Sequence, residues 1–217
     1  MTFYTDAQRA QQDLHQSRPL ADAVAAAVVS PSLNEDQQAF IASRDFFFLS
    51  TVNARGEPTV SYKGGDVGTV TVLDPENIAF PAYDGNGMFL SLGNIADTAS
   101  IGLLFIDFET PNRLRVQASA RLDAESSLLK SYPGAIGMVH ARVDSVFVNC
   151  ARYIHSHKRE ASSGYVPDAE GNQPFASWKR IDAMQPFLPP GDVGGAAASG
   201  GTISAEDYAA ALRRGQS

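Results

Sequence analysis

Cysteine is almost missing from this chain: Cys150 is the one thiol in 217 residues. No internal disulfide and no thiolate metal cluster can form, which excludes disulfide-stapled secreted scaffolds and fits a reducing, cytoplasmic setting. Long apolar runs are missing too. AVAAAVV at 23–29 is far shorter than a membrane span, and it follows sequence carrying Asp6, Asp13 and Asp22 instead of a basic leader. Neither an export signal nor a membrane partner is expected. Positive charge is in deficit, with 17 Lys+Arg against 24 Asp+Glu and a net charge of −7. No overall positive field is therefore available to attract phosphate backbone or anionic lipid, and nucleic acid is not an expected partner.

Familiar catalytic patterns are absent as well. The four histidines, His15, His140, His155 and His157, form no HExxH pair and lie near no cluster of Cys or carboxylates, so they read as surface imidazoles and no metal site is expected. No GxSxG nucleophile turn occurs. Cys150 ends a strand-like run, where a small buried thiol is the expected state.

What the chain does contain is punctuated β-sequence. The first thirty residues read as helical, with Thr5 and Gln8 at capping-box spacing, and Pro31 ends that piece. A short helix follows in SLNEDQQAFIAS, where Ser32 and Asn34 are candidate N-caps and Phe40 and Ile41 face inward. Aromatic and β-branched runs then recur at 46–53, 59–65, 69–73, 77–82, 101–108, 113–122 and 141–150, separated by Gly-containing or Asp-Pro turns. Only 88–97 and a piece around 126–132 read as helix within this array. The spacing favours a mainly β fold, a closed or partly closed antiparallel barrel with flanking helices. RLRVQASARL alternates, placing Arg113, Arg115 and Gln117 on one face and Leu114, Val116 and Ala118 on the other. Three regions are expected: an N-terminal helical extension at 1–39, the barrel with a C-terminal covering segment at 40–190, and a flexible Gly/Ala-rich tail at 191–217 with a short terminal helix capped by Ser204 and Asp207.

Two segments carry chemistry. SYKGGDVG at 61–68 sets Lys63 beside two glycines, and YDGNGMF at 83–89 sets Gly85 and Gly87 at the entrance of a helix. A lysine and a glycine-rich helix start in one β-rich core suit a phosphate. A plain tight turn needing positive φ explains Gly85, Asn86 and Gly87 equally well.

The ordered series FFFLSTVNARGEP, SYKGGDVG, IAFPAYDGNGMFLSLGNI, IGLLFIDFE, RLRVQASARL and VFVNCARYIH closely resembles the pyridoxamine 5′-phosphate oxidase-like family of FMN-binding split barrels. The resemblance runs from about Phe40 to about Trp178; Ala151 stands where many relatives have Pro. It implies a six-stranded antiparallel split barrel, a homodimer, and FMN bound between subunits. Matched position by position, it implies cofactor contacts from Ser61, Lys63 and Gly64, from Tyr83, Gly85, Asn86, Gly87 and Met88, and from Arg115 and Gln117. Trp178 and Lys179 are implied as a partner subunit's cover for the flavin ring. The implied function is FMN-dependent oxidation or reduction of a small molecule, with a nicotinamide nucleotide as the possible electron donor and no catalytic residue assigned. Alternatives are a non-catalytic flavin-binding or redox-sensing protein, or a haem-binding relative with His155 or His157 as axial ligand.

Overall fold

The computed structural model describes residues 3–216. Met1, Thr2 and Ser217, the outermost residues of the expected extension and tail, lie outside the described residues. The chain divides into two compact units, Met1–Ser162 and Ser163–Ser217.

The first unit opens with three helices, α1 (Asp6–Leu14), α2 (Arg18–Val28) and α3 (Glu35–Ala42). Both expected capping boxes form. Thr5 Oγ1 accepts from the Gln8 amide while the Gln8 side chain accepts from the Thr5 amide, and Asn34 and Gln37 repeat the exchange. Seven strands follow: β1 (Phe46–Val52), β2 (Pro58–Gly64), β3 (Thr71–Asp74), β4 (Asn77–Tyr83), β5 (Ser100–Asp107), β6 (Asn112–Asp123) and β7 (Ala135–Val148). Helix α4 (Leu90–Thr98) lies between β4 and β5. Each of the seven runs read from the sequence is a strand, one more than the six that the family resemblance implies. All pair antiparallel in one sheet of order β2-β1-β5-β6-β7-β4-β3.

The sheet curls into the split barrel. Phe47 on β1 and Phe80 on β4 are separated by three strands in sheet order, yet their rings meet edge to face at 5.0 Å, while Phe105 from the adjacent β5 lies 5.6 Å from Phe47. Strand alternation supplies this interior. Phe47, Leu49 and Thr51 of β1, Leu114, Val116, Ala118 and Ala120 of β6, and Val139, Ala141 and Val143 of β7 are all buried. Strand β7 starts six residues earlier than its alternation suggests, because 135–140 pair with β4 despite Gly137 interrupting the pattern. Cys150 is exposed, correcting the expected buried thiol: β7 ends at Val148, so position 150 lies beyond the sheet that would have covered it.

The second unit is built from short pieces. Three 3-10 turns, Ser177–Arg180, Asp182–Phe187 and Pro190–Asp192, precede α5 (Gly195–Ala198) and α6 (Ala205–Arg213). The Gly/Ala-rich stretch is tied to them. Arg180 Nε donates to the Gly201 carbonyl at 2.9 Å, Ile181 bridges Ile203, and Ala196 is buried. Ser204 caps α6 by accepting from the Asp207 amide, as its spacing suggests.

Phe47 is the keystone of the curled interior, since it joins strands that share no hydrogen bond. Phe47→Ala should lower unfolding free energy by about 3–5 kcal/mol. Urea titration of the ligand-free protein, with an unchanged m value, is the check.

Candidate functional site

The centre of interest is a polar seam between α4 and the core-facing side of β1 and β2. Thr51 pairs with Thr59 and Leu49 with Ser61 across β1 and β2, so Thr59 and Ser61 share the face of buried Leu49 and Thr51. Asn94 of α4 donates through Nδ2 to Thr51 Oγ1 at 2.9 Å and to Thr59 Oγ1 at 3.2 Å. The Thr51 and Thr59 hydroxyls lie 2.9 Å apart, and Ser61 Oγ lies 3.1 Å from Ser91 Oγ. Each buried polar group of the seam therefore has a partner, which lets a helix pack on an edge strand without an unsatisfied donor.

Extrapolated, this register brings Lys63 level with the start of α4. Moving from Thr59 to Ser61 advances ~6.6 Å along the strand, while moving from Asn94 to Ser91 retreats ~4.5 Å along the helix. One more strand step carries Lys63 past Ser91 towards the first helical amides. Lys63 pairs with Phe47 and so shares the core-facing side. It is half-buried, desolvation lowers its ammonium pKa, and no carboxylate pairs with it among the described residues. A half-buried ammonium without a counter-charge carries a desolvation penalty.

The helix start is open. Phe89 occupies the N-cap in the left-handed region, at φ 49°, and gives no side-chain hydrogen bond to the first turn. Ahead of it Asn86 Oδ1 accepts from the Met88 amide at 3.1 Å, Gly87 has φ 75°, and residues 84–90 are exposed. A Cβ added to Gly85 or Gly87 would meet nothing within 4 Å. The helix begins at Leu90, two residues later than the sequence suggests, because Gly87 and Phe89 hold the backbone out of helical geometry. The glycines after Lys63 differ in kind. A Cβ on Gly64 would lie 2.7 Å from the Tyr62 ring, and one on Gly65 2.5 Å from Thr69 Oγ1, so these two serve close packing within the chain.

The remaining candidates lie elsewhere. Tyr83 ends β4, half-buried, and its phenol is pushed up first by burial and then by Tyr132 and Asp66. Arg115 and Gln117 alternate with buried Leu114, Val116 and Ala118, so they project from the opposite side of the sheet to Lys63. Gln117 Oε1 accepts there from Ser145 Oγ at 2.8 Å. Trp178 and Lys179 belong to the second unit. Lys179 is buried, with its ammonium 2.8 Å from Asp192 and 5.8 Å from the Trp178 ring centre, so it has a structural task of its own. His155 and His157 are exposed, and His157 packs edge-on against Phe108. Among the described residues no group of His, Cys, Asp and Glu could hold a metal ion.

The sequence reading does not reach Tyr132, whose hydroxyl touches Thr71 and Gly68. Nor does it reach Ser91 and Asn94, whose signal is present in hindsight: small polar residues on the inward side of a short helix.

Residues 33–143, just over half of the chain, match the profile of the pyridoxamine 5′-phosphate oxidase family. The chain belongs to this family. Solved structures similar to this member of the pyridoxamine 5′-phosphate oxidase family include a candidate pyridoxamine 5′-phosphate oxidase from Lactobacillus delbrueckii, at 25% identity over 54% of this chain and 95% of that one, TM-score 0.44. An FMN-binding protein from Syntrophomonas wolfei is similar at 13% identity, over 64% and 97%, TM-score 0.40. HutZ, the haem storage protein of Vibrio cholerae, is similar at 20% identity, over 54% and 94%, TM-score 0.38. No curated protein matches the sequence significantly.

The open loop separates strain from contact. Gly87→Val should destabilise the ligand-free protein by about 1–2 kcal/mol, because φ 75° suits no branched side chain. Gly85→Ala, with open space and no positive φ, should change the same denaturation midpoint little.

Proposed function

We propose that this chain is an FMN-dependent oxidoreductase acting on a small molecule, with the flavin held between two copies of the chain. The observation that carries the reading is Lys63: a half-buried ammonium on the core-facing side of an edge strand, without a carboxylate partner among the described residues, level with an uncapped helix start. These residues fit a flavin phosphate. Lys63 supplies the charge, the amides at the start of α4 supply donors and the favourable end of the helix dipole, and the open backbone at 85–88 leaves room for the ribityl chain.

FMN, once bound, supplies hydride and single-electron chemistry. The protein's part is to bind, orient and shield. Ser61 keeps the α4 start in register through Ser91, and Tyr83 closes the β4 end of the same region. Arg115 and Gln117 stand on the far side of the sheet, where they cannot reach a ligand on the Lys63 side of their own chain. In the proposed homodimer those side chains would serve the partner's flavin instead. No side chain is assigned as acid or base, since hydride transfer to or from a flavin demands none.

Lys63→Ala should weaken FMN by about ten- to a hundredfold and riboflavin far less, because only FMN carries the phosphate. FMN affinity should also fall as pH rises, and earlier than an ordinary lysine would dictate. Burial lowers the Lys63 pKa, the phosphate selects its charged form, and that form is lost as pH passes the depressed value. Fluorescence titrations with both ligands measure these effects; equal losses for the two would remove Lys63 from the phosphate. Light scattering tests the dimer. Bleaching of the flavin bands on anaerobic mixing with reduced nicotinamide nucleotide separates turnover from passive binding, and a haem spectrum in purified protein would overturn the reading.

A further inference from the structure

We propose that Tyr132 is a positioning residue for the flavin phosphate, acting through the turn that follows Lys63; this rests on the flavin reading above. Tyr132 lies just after the 3-10 turn Ser127–Ser131, more than sixty residues from the groups its hydroxyl touches. Its Oη is 2.5 Å from Thr71 Oγ1 and 3.2 Å from the Gly68 carbonyl oxygen. A carbonyl can only accept, so the phenol proton goes to Gly68 and the Thr71 hydroxyl must donate to Tyr132. The result is a directed relay from β3 through the tyrosine to the backbone of the turn.

Backbone hydrogen bonds anchor that turn: the Gly65 amide donates to the Asp45 carbonyl at 2.8 Å, the Gly68 amide to the Arg44 carbonyl at 3.0 Å, and the Thr69 amide to the Asp66 carbonyl at 2.9 Å. Tyr132 adds a side-chain hydrogen bond from more than sixty residues away, to the Gly68 carbonyl oxygen. Tyr132 also contributes, after burial, to raising the pKa of the Tyr83 phenol. Tyr132 thus ties the turn that follows Lys63 to β3 through one hydroxyl.

Tyr132→Phe keeps the ring while removing both hydrogen bonds, and Thr71→Val removes only the donor behind the phenol. With the full-length chain, Tyr132→Phe should weaken FMN about three- to tenfold while riboflavin changes by less than about twofold. Thr71→Val should shift FMN affinity in the same direction by less, and the double variant should be no weaker than Tyr132→Phe alone, as expected for groups in one relay. Parent-like FMN binding by both single variants overturns the proposal. So does an equal loss for both ligands with a lowered melting midpoint of the ligand-free protein, which would make Tyr132 an ordinary structural residue. If the parent itself takes no FMN, the flavin reading falls and this proposal with it, whereas a parent that binds tightly beside an indifferent Tyr132→Phe overturns the relay alone. Should Tyr132→Phe fail to fold, Thr71→Val decides by the same comparison.

Discussion

A lysine on the core-facing side of an edge strand must be stabilised by something, because a half-buried ammonium without a counter-charge is unfavourable. In most proteins a neighbouring carboxylate does this. Here several carboxylates pair with arginines instead: Asp107 with Arg44, Asp45 with Arg159, and Asp123 with Arg121. Lys63 keeps its charge at the expense of a lowered pKa, and the structure around it is arranged in consequence. The polar seam of Thr51, Thr59, Asn94, Ser61 and Ser91 holds α4 against β2 without presenting any negative group to the lysine. Hydroxyls and an amide satisfy one another in that seam, so the helix packs on the edge strand without a buried carboxylate.

The helix that faces Lys63 shows where backbone strain is tolerated. Two non-glycine residues, Phe89 and Ala99, adopt left-handed φ values of 49° and 57°, one at each end of α4. Such conformations cost about 1–2 kcal/mol each, and they persist where the surroundings determine them. At the C-terminal end those surroundings are visible. Ala99 donates to Ile95 and accepts from the Ala120 amide at 2.7 Å, so the strained residue is stitched to the barrel wall. At the N-terminal end, by contrast, Met88, Phe89 and Leu90 are exposed, and no side chain caps the first turn. One end of the helix is held by the chain itself; the other stands exposed.

Much of this was legible because it is local. Capping pairs such as Thr5 with Gln8 and Asn34 with Gln37 declare themselves at a spacing of three, and every apolar run separated by Gly or Asp-Pro became a strand. The alternation of Arg115 and Gln117 against Leu114 and Val116 was equally readable. What alternation could not say was which side of β2 would face the core. That depends on Lys63 pairing with Phe47, a contact made by folding, and it is this pairing that separates Lys63 from Arg115 across the sheet. Tyr132 was invisible for the same reason, since its hydroxyl serves residues more than sixty positions away. The early part of β7 was hidden by Gly137, a residue that weakens a strand signal but is held here by pairing with Ala82.

The division of the site across two faces has a structural corollary. The opposite side of β1 and β2 from Lys63 is not a polar solvent face. Phe46 stacks on Tyr62 at 5.3 Å and on Phe108 at 5.8 Å, and Phe48 meets both Phe46 and Tyr62 edge-on. Val60 and Tyr62 on this side are 69% and 62% exposed. An edge strand that displays large apolar residues invites association, and natural edges are usually protected by charge or by cover. The one charged residue of this strand, Lys63, points the other way, so it gives no such protection. The alternation of β2 that directs the lysine inward directs Tyr62 outward, so the far face of this edge strand is an apolar aromatic ladder open to association.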